Sequence, residues 1–309
     1  MVPRLLARSR CLRGTALRPW LLLCGLLFGQ PLLAAEIILS SAEDNPAIRA
    51  FTADLAARRP QDQVSFRPLE QLPSPTVLPN GTRLIIFGNQ ALEWRLGSDQ
   101  GPPTLVLRIA KVYAHKRLGT TRPPRLSLLW SDPAPQRQLR LVRALMPGVK
   151  RVGVLYDEHS AFLVDELQRA ASALGLQIVS REWPDRRDNR PLLDLLQHSD
   201  LLLGLNDDDL FNPHTAKNLL LTSYSQQRAI IGPNANFVRA GSLASVYSDQ
   251  VDWLASLELW LDRPTAEWPR SAYPAHFKVL GNRQVARALA LELADDASLT
   301  QRVAEGDIP

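Results

Sequence analysis

Residues 151–175 read RVGVLYDEHSAFLVDELQRAASALG, and this stretch decides the fold class. Residues 152–156 form a continuous apolar run, which predicts a strand buried on both faces. Asp157, His159 and Ser160 follow it and predict a turn that leads into a helix. Apolar side chains then recur at helical spacing over residues 162–174, and Gly175 is typical of the position just after a helix. A strand, a turn and a helix in this order are the unit of a parallel α/β sheet.

The same unit repeats along most of the chain. Further strands are predicted at residues 37–39, 64–66, 84–87, 105–109, 126–130, 177–179, 201–205, 229–231 and 243–246. Further helices are predicted at residues 46–58, 215–227 and 251–261. Most of the strands are continuous apolar runs that do not alternate with polar residues, so helices should cover both faces of each sheet.

These units fall into two sets, at residues 36–125 and from residue 126 onward, with the Pro- and Arg-rich residues 121–125 between them. The sequence therefore predicts an α/β fold with two doubly wound parallel-sheet lobes around a cleft. Strand carboxyl ends and helix amino ends meet at the binding edge of such sheets. That edge favours a carboxylate or another anionic group.

The excess of positive charge lies in the first 35 residues. The formal net charge is +5. Five arginines and no acidic residue occur there: Arg4, Arg8, Arg10, Arg13 and Arg18. The rest of the chain is neutral, which argues against a nucleic-acid partner.

The amino-terminal segment is typical of a signal peptide. An apolar run at residues 20–33 ends in Leu33-Ala34-Ala35, which predicts a signal peptide at residues 1–35, cleavage near Ala35 and a periplasmic protein. An uncleaved anchor and a lipoprotein attached at Cys24 are the alternatives. Because Cys11 and Cys24 are the chain's two cysteines, the mature protein should have no thiol catalysis, cysteine-ligated zinc or iron–sulfur cluster.

The second half of the chain resembles a known family. The segments that carry the resemblance are residues 131–133, 139–147, 149–157, 173–176, 232–248 and 277–291. In order and spacing they are similar to the substrate-binding proteins of ABC transporters, in the group that includes binders of aromatic amino acids. The resemblance covers about residues 126–293; before residue 126 only the order of elements matches.

The resemblance implies a type I periplasmic-binding fold, whose two lobes close on a small ligand by hinge motion. Residues 36–125 would then form lobe 1, and residues 126–233 lobe 2. The chain would return to lobe 1 at about residues 234–260, which places strand 243–246 there, and residues 261–309 would belong to lobe 2.

Candidate ligand contacts are polar or aromatic residues near predicted strand ends. They are Ser40, Ser41, Gly88, Asn89, Tyr156, Asp157, Asn206, Asp207, Asn234 and Phe237. Each also has a structural interpretation: Gly88-Asn89 could be a routine strand-to-helix turn, and Phe237 could belong to the core. Around Ser40-Ser41 the chain departs from the family pattern, and residues 206–209 are more acidic than a plain carboxylate pocket requires.

Motifs for chemistry are weak. Asp207, Asp208 and Asp209 could bind a metal, but adjacent carboxylates point apart and no EF-hand spacing accompanies them, so a loop that starts a helix is favoured. The five histidines lack metal spacing, and there is no G-x-S-x-G motif. Asp157, His159 and Ser160 suit a turn better than a triad. We therefore expect no enzyme activity, no cofactor and no metal.

The leading hypothesis is an exported solute-binding protein that captures a small ligand, such as an amino acid or a small organic acid, for an ABC-type importer. A membrane permease would be its partner, and the protein would be a monomer. The alternative is a periplasmic ligand sensor that docks on a membrane receptor kinase or an uptake system. An exported enzyme is a third hypothesis, which lacks a visible acid, base and nucleophile.

Overall fold

A computed structural model describes residues 35–119 and 121–306 of the chain. The predicted signal peptide lies outside these residues except for Ala35, so the signal peptide and its cleavage remain predictions. No helix in the described part of the chain combines the length and the apolar character that a membrane span requires.

The first part of the chain alternates strands with helices. In chain order its elements are β1 (Glu36–Ser41), α1 (Pro46–Arg58), β2 (Gln63–Phe66), β3 (Arg83–Phe87), α2 (Gly88–Leu96), β4 (Thr104–Ile109), α3 (Lys111–Leu118) and β5 (Leu126–Trp130). All five strands pair in parallel in one sheet, which we call sheet 1.

The second part builds another sheet in the same way. Its elements are α4 (Pro135–Leu145), β6 (Arg151–Tyr156), α5 (Ala161–Ser172), β7 (Gln177–Glu182), α6 (Arg190–His198), β8 (Leu201–Leu203), α7 (Pro213–Ser225), β9 (Ala229–Ile231), α8 (Ala235–Ala240) and β10 (Ala244–Tyr247). Its strands form sheet 2, again in parallel.

The carboxyl-terminal part contributes to both sheets. It consists of α9 (Gln250–Leu261), β11 (Ser271–Ala272), β12 (Lys278–Gly281), α10 (Arg283–Ala288) and α11 (Asp296–Ala304). β11 joins the edge of sheet 1 beside β5, so its order is β11-β5-β4-β3-β1-β2. β12 pairs antiparallel with β10, so the order of sheet 2 is β12-β10-β9-β8-β6-β7.

Helices cover both faces of sheet 1, as its continuous apolar strands predict. Ile37 and Leu39 of β1 pack on one side with residues of α1 and α9, while Ile38 packs on the other side with α2 and α3. Successive strand residues point to opposite faces, so a doubly covered strand must be apolar at every position. The prediction of two doubly wound parallel-sheet lobes is confirmed, with β12 as the antiparallel edge strand.

The predicted lobe boundaries differ from the observed ones in three places. Residues 261–309 were expected in lobe 2, but β11 pairs with β5 in sheet 1. Residues 126–130 were expected to open lobe 2, but β5 pairs with β4 in sheet 1. The Pro- and Arg-rich residues 121–125 therefore lie within lobe 1 and do not connect the lobes. Strand 243–246 was expected in lobe 1, but β10 pairs with β9 and β12 in sheet 2. An apolar run suits either sheet, and only long-range pairing selects one.

The chain crosses between the lobes three times. The crossings are residues 131–134 between β5 and α4, residues 248–249 between β10 and α9, and residues 273–277 between β11 and β12. The return to lobe 1 is thus made by α9, which packs on α1 and contributes Trp253 and Leu257 to the lobe 1 core. Residues 278–306 belong to sheet 2 and its helices.

Candidate functional site

A cavity of about 430 Å³ lies where the two lobes face each other. Its polar lining comes from lobe 1 and the adjoining crossing (Ser41, Glu43, Gly88, Asn89, Arg108 and Ser131) and from the loop after β8 in lobe 2 (Asn206 and Asp208). We call it the cleft cavity. Parallel strands end at this edge, so the loops that follow them converge there as predicted.

Two helices of lobe 1 begin at the cleft cavity. α1 is capped, because the Asn45 side chain accepts the Ile48 N–H at 3.0 Å. α2 starts directly from β3 at Gly88, whose φ of +77° is a conformation that favours glycine. No side chain in the described part of the chain caps α2. Its first turn therefore offers backbone N–H groups and the positive end of the helix dipole to the cavity.

Arg108 brings a positive charge into the cleft cavity. It lies in β4 at a register irregularity between Leu107 and Ile109, and its φ is +54°. Such a bulge redirects a side chain at a cost of about 1–3 kcal/mol for a non-glycine residue in this conformation. The Arg108 side chain forms no hydrogen bond or ion pair with any residue that the structure describes. The residue is exposed, yet desolvation by the surrounding protein lowers its pKa.

Asn206 links the lobe 2 loop to the first crossing. Its side-chain amide donates to Ser131 Oγ at 3.0 Å. The neighbouring Asp132 accepts the Lys111 N–H at 2.9 Å and also interacts with Asn206. Burial raises the pKa of Asp132 to about 7, against the opposing effect of these donors. The crossing thus places a buried, titratable carboxyl group beside the cleft cavity.

The lobes also touch through α3 and α5. Lys111 forms an ion pair with Glu166 at 2.5 Å and donates a hydrogen bond to the Tyr273 hydroxyl at 3.0 Å. The rings of His115 and Phe162 stack with their centroids 4.2 Å apart. These contacts lie beside the crossings that a hinge motion would bend.

Asp157 stabilises the loop between β6 and α5. Its Oδ1 accepts the N–H groups of His159 and Ser160 at 3.0 and 3.1 Å, and Arg186 donates to its Oδ2 at 2.7 Å. Burial acts to raise its pKa, but Arg186 and these donors outweigh burial and lower it. The loop is thus the turn that the sequence predicted, and Asp157 stabilises that turn through its hydrogen bonds.

Asp207 follows β8 and is 2 % exposed. Its Oδ1 accepts the Asp209 N–H at 3.0 Å. Burial raises its pKa, and the charges of Asp157 and Asp209 add to the rise, whereas the Ser160 hydroxyl opposes it. In the loop at residues 206–209, Asp208 lines the cleft cavity, whereas Asp207 does not.

Asn234 and Phe237 line a second cavity, of about 870 Å³, on lobe 2 between α7 and α8. Asn234 caps α8 by accepting the Phe237 N–H at 3.1 Å. Phe237 is buried and meets the Phe211 ring edge to face, with centroids 5.7 Å apart. Their local roles are those of a helix cap and a core residue.

The ten residues predicted from sequence thus separate. Ser41, Gly88, Asn89 and Asn206 line the cleft cavity together. The other six do not line it in the described structure: Ser40, Tyr156, Asp157, Asp207, Asn234 and Phe237. Ser40 lies fully buried within β1, and Tyr156 packs against the lobe 2 core.

The comparisons with known proteins rest on structure. The sequence matches no protein-family model and no curated protein. A ligand-free, open substrate-binding protein with adhesive properties from Clostridium difficile is similar with a TM-score of 0.64 and 15 % identity, over 85 % of this chain and 97 % of that one. An ABC domain from Streptococcus pneumoniae in complex with L-Trp is similar with a TM-score of 0.56 and 18 % identity, over 87 % of this chain and 98 % of that one.

The chain has the fold of the periplasmic solute-binding proteins of ABC transporters. The type I periplasmic-binding fold that the sequence resemblance implies is thereby confirmed. At identities of 15–18 % the likeness concerns the fold alone.

Sequence reasoning missed Arg108 and Asp208 as cavity residues of this solute-binding fold. The sequence did single out Arg108, because it is the single charged residue within the apolar run 105–109. A charge inside a strand that should be covered on both faces indicates a bulge or a site. For Asp208 the sequence offered no way to choose among three consecutive aspartates.

Proposed function

We propose that this protein is exported to the periplasm and captures a small solute between its two lobes for an ABC-type importer. The observation that carries the proposal is the cleft cavity, to which both lobes contribute polar side chains. Its volume of about 430 Å³ lies within the range of about 300–1,000 Å³ that is usual for small-molecule sites. In this proposal the protein is a monomer that does no chemistry on the solute and delivers it to a membrane permease.

The solute would carry an anionic group, as an amino acid or a small organic acid does. The Arg108 guanidinium has no partner among the described residues, and the uncapped first turn of α2 lies in the same cavity. A carboxylate placed between them would gain charge-assisted hydrogen bonds at a low local dielectric. It would also neutralise a charge that now lacks a counter-ion.

Capture would proceed by closure of the lobes around the three crossings. A solute shifts the equilibrium between open and closed forms only by the difference between its affinities for them. Contacts from both lobes supply this difference, because Arg108 and Asn89 belong to lobe 1 while Asn206 and Asp208 belong to lobe 2. The permease would then recognise the closed form.

The test begins with native mass spectrometry of protein purified without refolding, followed by a thermal-shift screen of amino acids and small organic acids. Affinities of the hits are then measured by calorimetry. We expect Arg108→Ala to weaken binding by about 2–3 kcal/mol, roughly 30- to 150-fold, because a charged hydrogen-bond donor is lost.

Two control variants locate the effect. Arg125→Ala removes an exposed arginine that also has a positive φ but lies outside the cleft cavity, so affinity should be unchanged. Asn234→Ala alters the second cavity and should likewise leave affinity unchanged. A hit that binds Arg108→Ala normally and loses affinity in Asn234→Ala would move the site to lobe 2 and overturn the proposal.

A further inference from the structure

Three carboxylates converge at the carboxyl-end edge of sheet 2. Asp157 follows β6, and Asp207 and Asp209 follow β8, which pairs in parallel with β6. One carboxylate oxygen from each residue lies within 4.8 Å of one from the others. The sequence argument that adjacent aspartates point apart holds for Asp208, which lines the cleft cavity, but Asp207 and Asp209 turn to the same side as Asp157.

One of these carboxylates is incompletely satisfied. Asp207 is 2 % exposed, and its Oδ2 has no hydrogen-bond donor among the described residues. Burying a polar atom without a partner costs about 1–3 kcal/mol, and more for a charged group. Buried carboxylates are therefore normally paired with a donor, a proton or a metal ion.

The protein supplies less positive charge than the cluster needs. Arg186 donates to Asp157 Oδ2 at 2.7 Å, and its Nε donates to the Asp209 carbonyl oxygen at 3.2 Å. Arg186 thus orients two of the three acidic residues but neutralises only one charge. A second, divalent charge would balance the remaining two carboxylates.

We propose that Asp157, Asp207 and Asp209 bind one divalent cation, with Ca²⁺ preferred over Mg²⁺. Both are hard cations that prefer carboxylate oxygen. Oxygens on opposite sides of Ca²⁺ lie up to about 5 Å apart, whereas those on Mg²⁺ lie about 4 Å apart. The three carboxylate oxygens lie within 4.8 Å of one another, which is inside the span of a Ca²⁺ site, and Ca²⁺ tolerates irregular coordination better than Mg²⁺ does. Water or main-chain oxygens would complete the coordination.

The experiment uses the mature protein, freed of metal with a chelator and kept without solute. Thermal unfolding is followed while CaCl₂ or MgCl₂ is added at constant ionic strength, which is maintained with NaCl. We expect a saturable increase in Tm with Ca²⁺, about 5–10 °C at a hundredfold excess over Kd, and a smaller increase with Mg²⁺.

Variants identify the ligands. Asp207→Asn should weaken Ca²⁺ binding at least tenfold, and Asp208→Asn is the matched control because it removes the same charge from the same loop outside the cluster. If Asp207→Asn does not fold, the exposed Asp209→Asn serves instead, with the same expected loss. The absence of a saturable Ca²⁺ shift in the unmodified protein would overturn the proposal, as would equal responses of Asp207→Asn and Asp208→Asn. Because no solute is present, a negative result for Ca²⁺ does not bear on the proposed solute binding, so failures of the two proposals can be told apart.

Discussion

The two walls of the cleft differ in charge and in how that charge is held. On the lobe 1 wall, Arg108 has no ionic or hydrogen-bonded partner among the described residues, and its backbone φ is +54°. The uncapped start of α2 and one carboxylate, Glu43, line the same wall. On the other wall and the adjoining crossing the charges are carboxylates: Asp208 in the cavity, and Asp132 and Asp207 buried near it. The fold thus places Arg108, a cation that is unpaired among the described residues, on one wall and a carboxylate, Asp208, on the other, which suits a ligand with both an anionic and a cationic end.

The two walls also differ in their energetic costs. On the lobe 1 wall the cost is backbone strain at Arg108. On the lobe 2 wall and the adjoining crossing the cost is the desolvation of the buried Asp132 and Asp207. Proteins tolerate such destabilising features at sites where binding requires a group in a fixed position. Three predictions test these differences, in order of decreasing effect.

The largest effect concerns the buried Asp132. Its pKa is raised from 3.8 to about 7 in the folded protein, so the folded state holds the proton more tightly than the unfolded state. The associated stability is complete below pH ~4 and is lost as the pH rises through about 7. Urea unfolding at several pH values should show this loss, on the order of 4 kcal/mol, in the unmodified protein and not in Asp132→Asn.

The amide of Asp132→Asn can still accept the Lys111 N–H, so the local structure should persist. Asp165→Asn, on the exposed surface of α5, is the control and should retain the pH-dependent loss. If the free energy of unfolding falls equally with rising pH in Asp132→Asn and in the unmodified protein, the desolvation of Asp132 is not the cause of the loss.

A smaller effect, about 1 kcal/mol, should separate two variants of Arg108. Arg108→Gly and Arg108→Ala remove the same charge, but glycine adopts φ +54° without strain and alanine does not. Arg108→Gly should therefore have the higher free energy of unfolding in urea. Equal stabilities would mean that the backbone relaxes once the guanidinium is gone, and that the bulge is not imposed by the strand.

The smallest effect tests whether the Asp208 carboxylate contacts a cationic group of the ligand. Asp208→Asn should weaken the binding of a zwitterionic ligand about three- to fivefold, because an exposed ion pair contributes at most about 1 kcal/mol. A ligand with only anionic groups should bind Asp208→Asn equally well or more tightly. Calorimetry with one hit of each kind decides the matter. A loss that is equal for both kinds would show that Asp208 acts on the loop and not on the ligand's charge.

Part of the site was predictable because it follows from the position of strand ends. Ser41, Gly88, Asn89 and Asn206 come directly after apolar strands or end them, and the structure brings all four to one cavity. The same reasoning placed Asn234 and Phe237 at the cavity, and there it was insufficient. Both follow β9, but a helix cap and a core contact account for their polar and aromatic groups.

The sequence by itself determined the class of the fold. Apolar runs without alternation require strands covered on both faces, and helical spacing between them supplies the cover, so two parallel α/β lobes follow from local pattern. Tertiary structure alone decided which sheet receives β5 and β10, because equally apolar strands fit either partner. It alone aimed Arg108 into the cleft through a bulge and brought Asp157 beside Asp207 and Asp209, residues about 50 positions apart in the chain. Hydrophobic periodicity encodes the face that a side chain takes, whereas pairing and convergence depend on contacts between segments far apart in sequence.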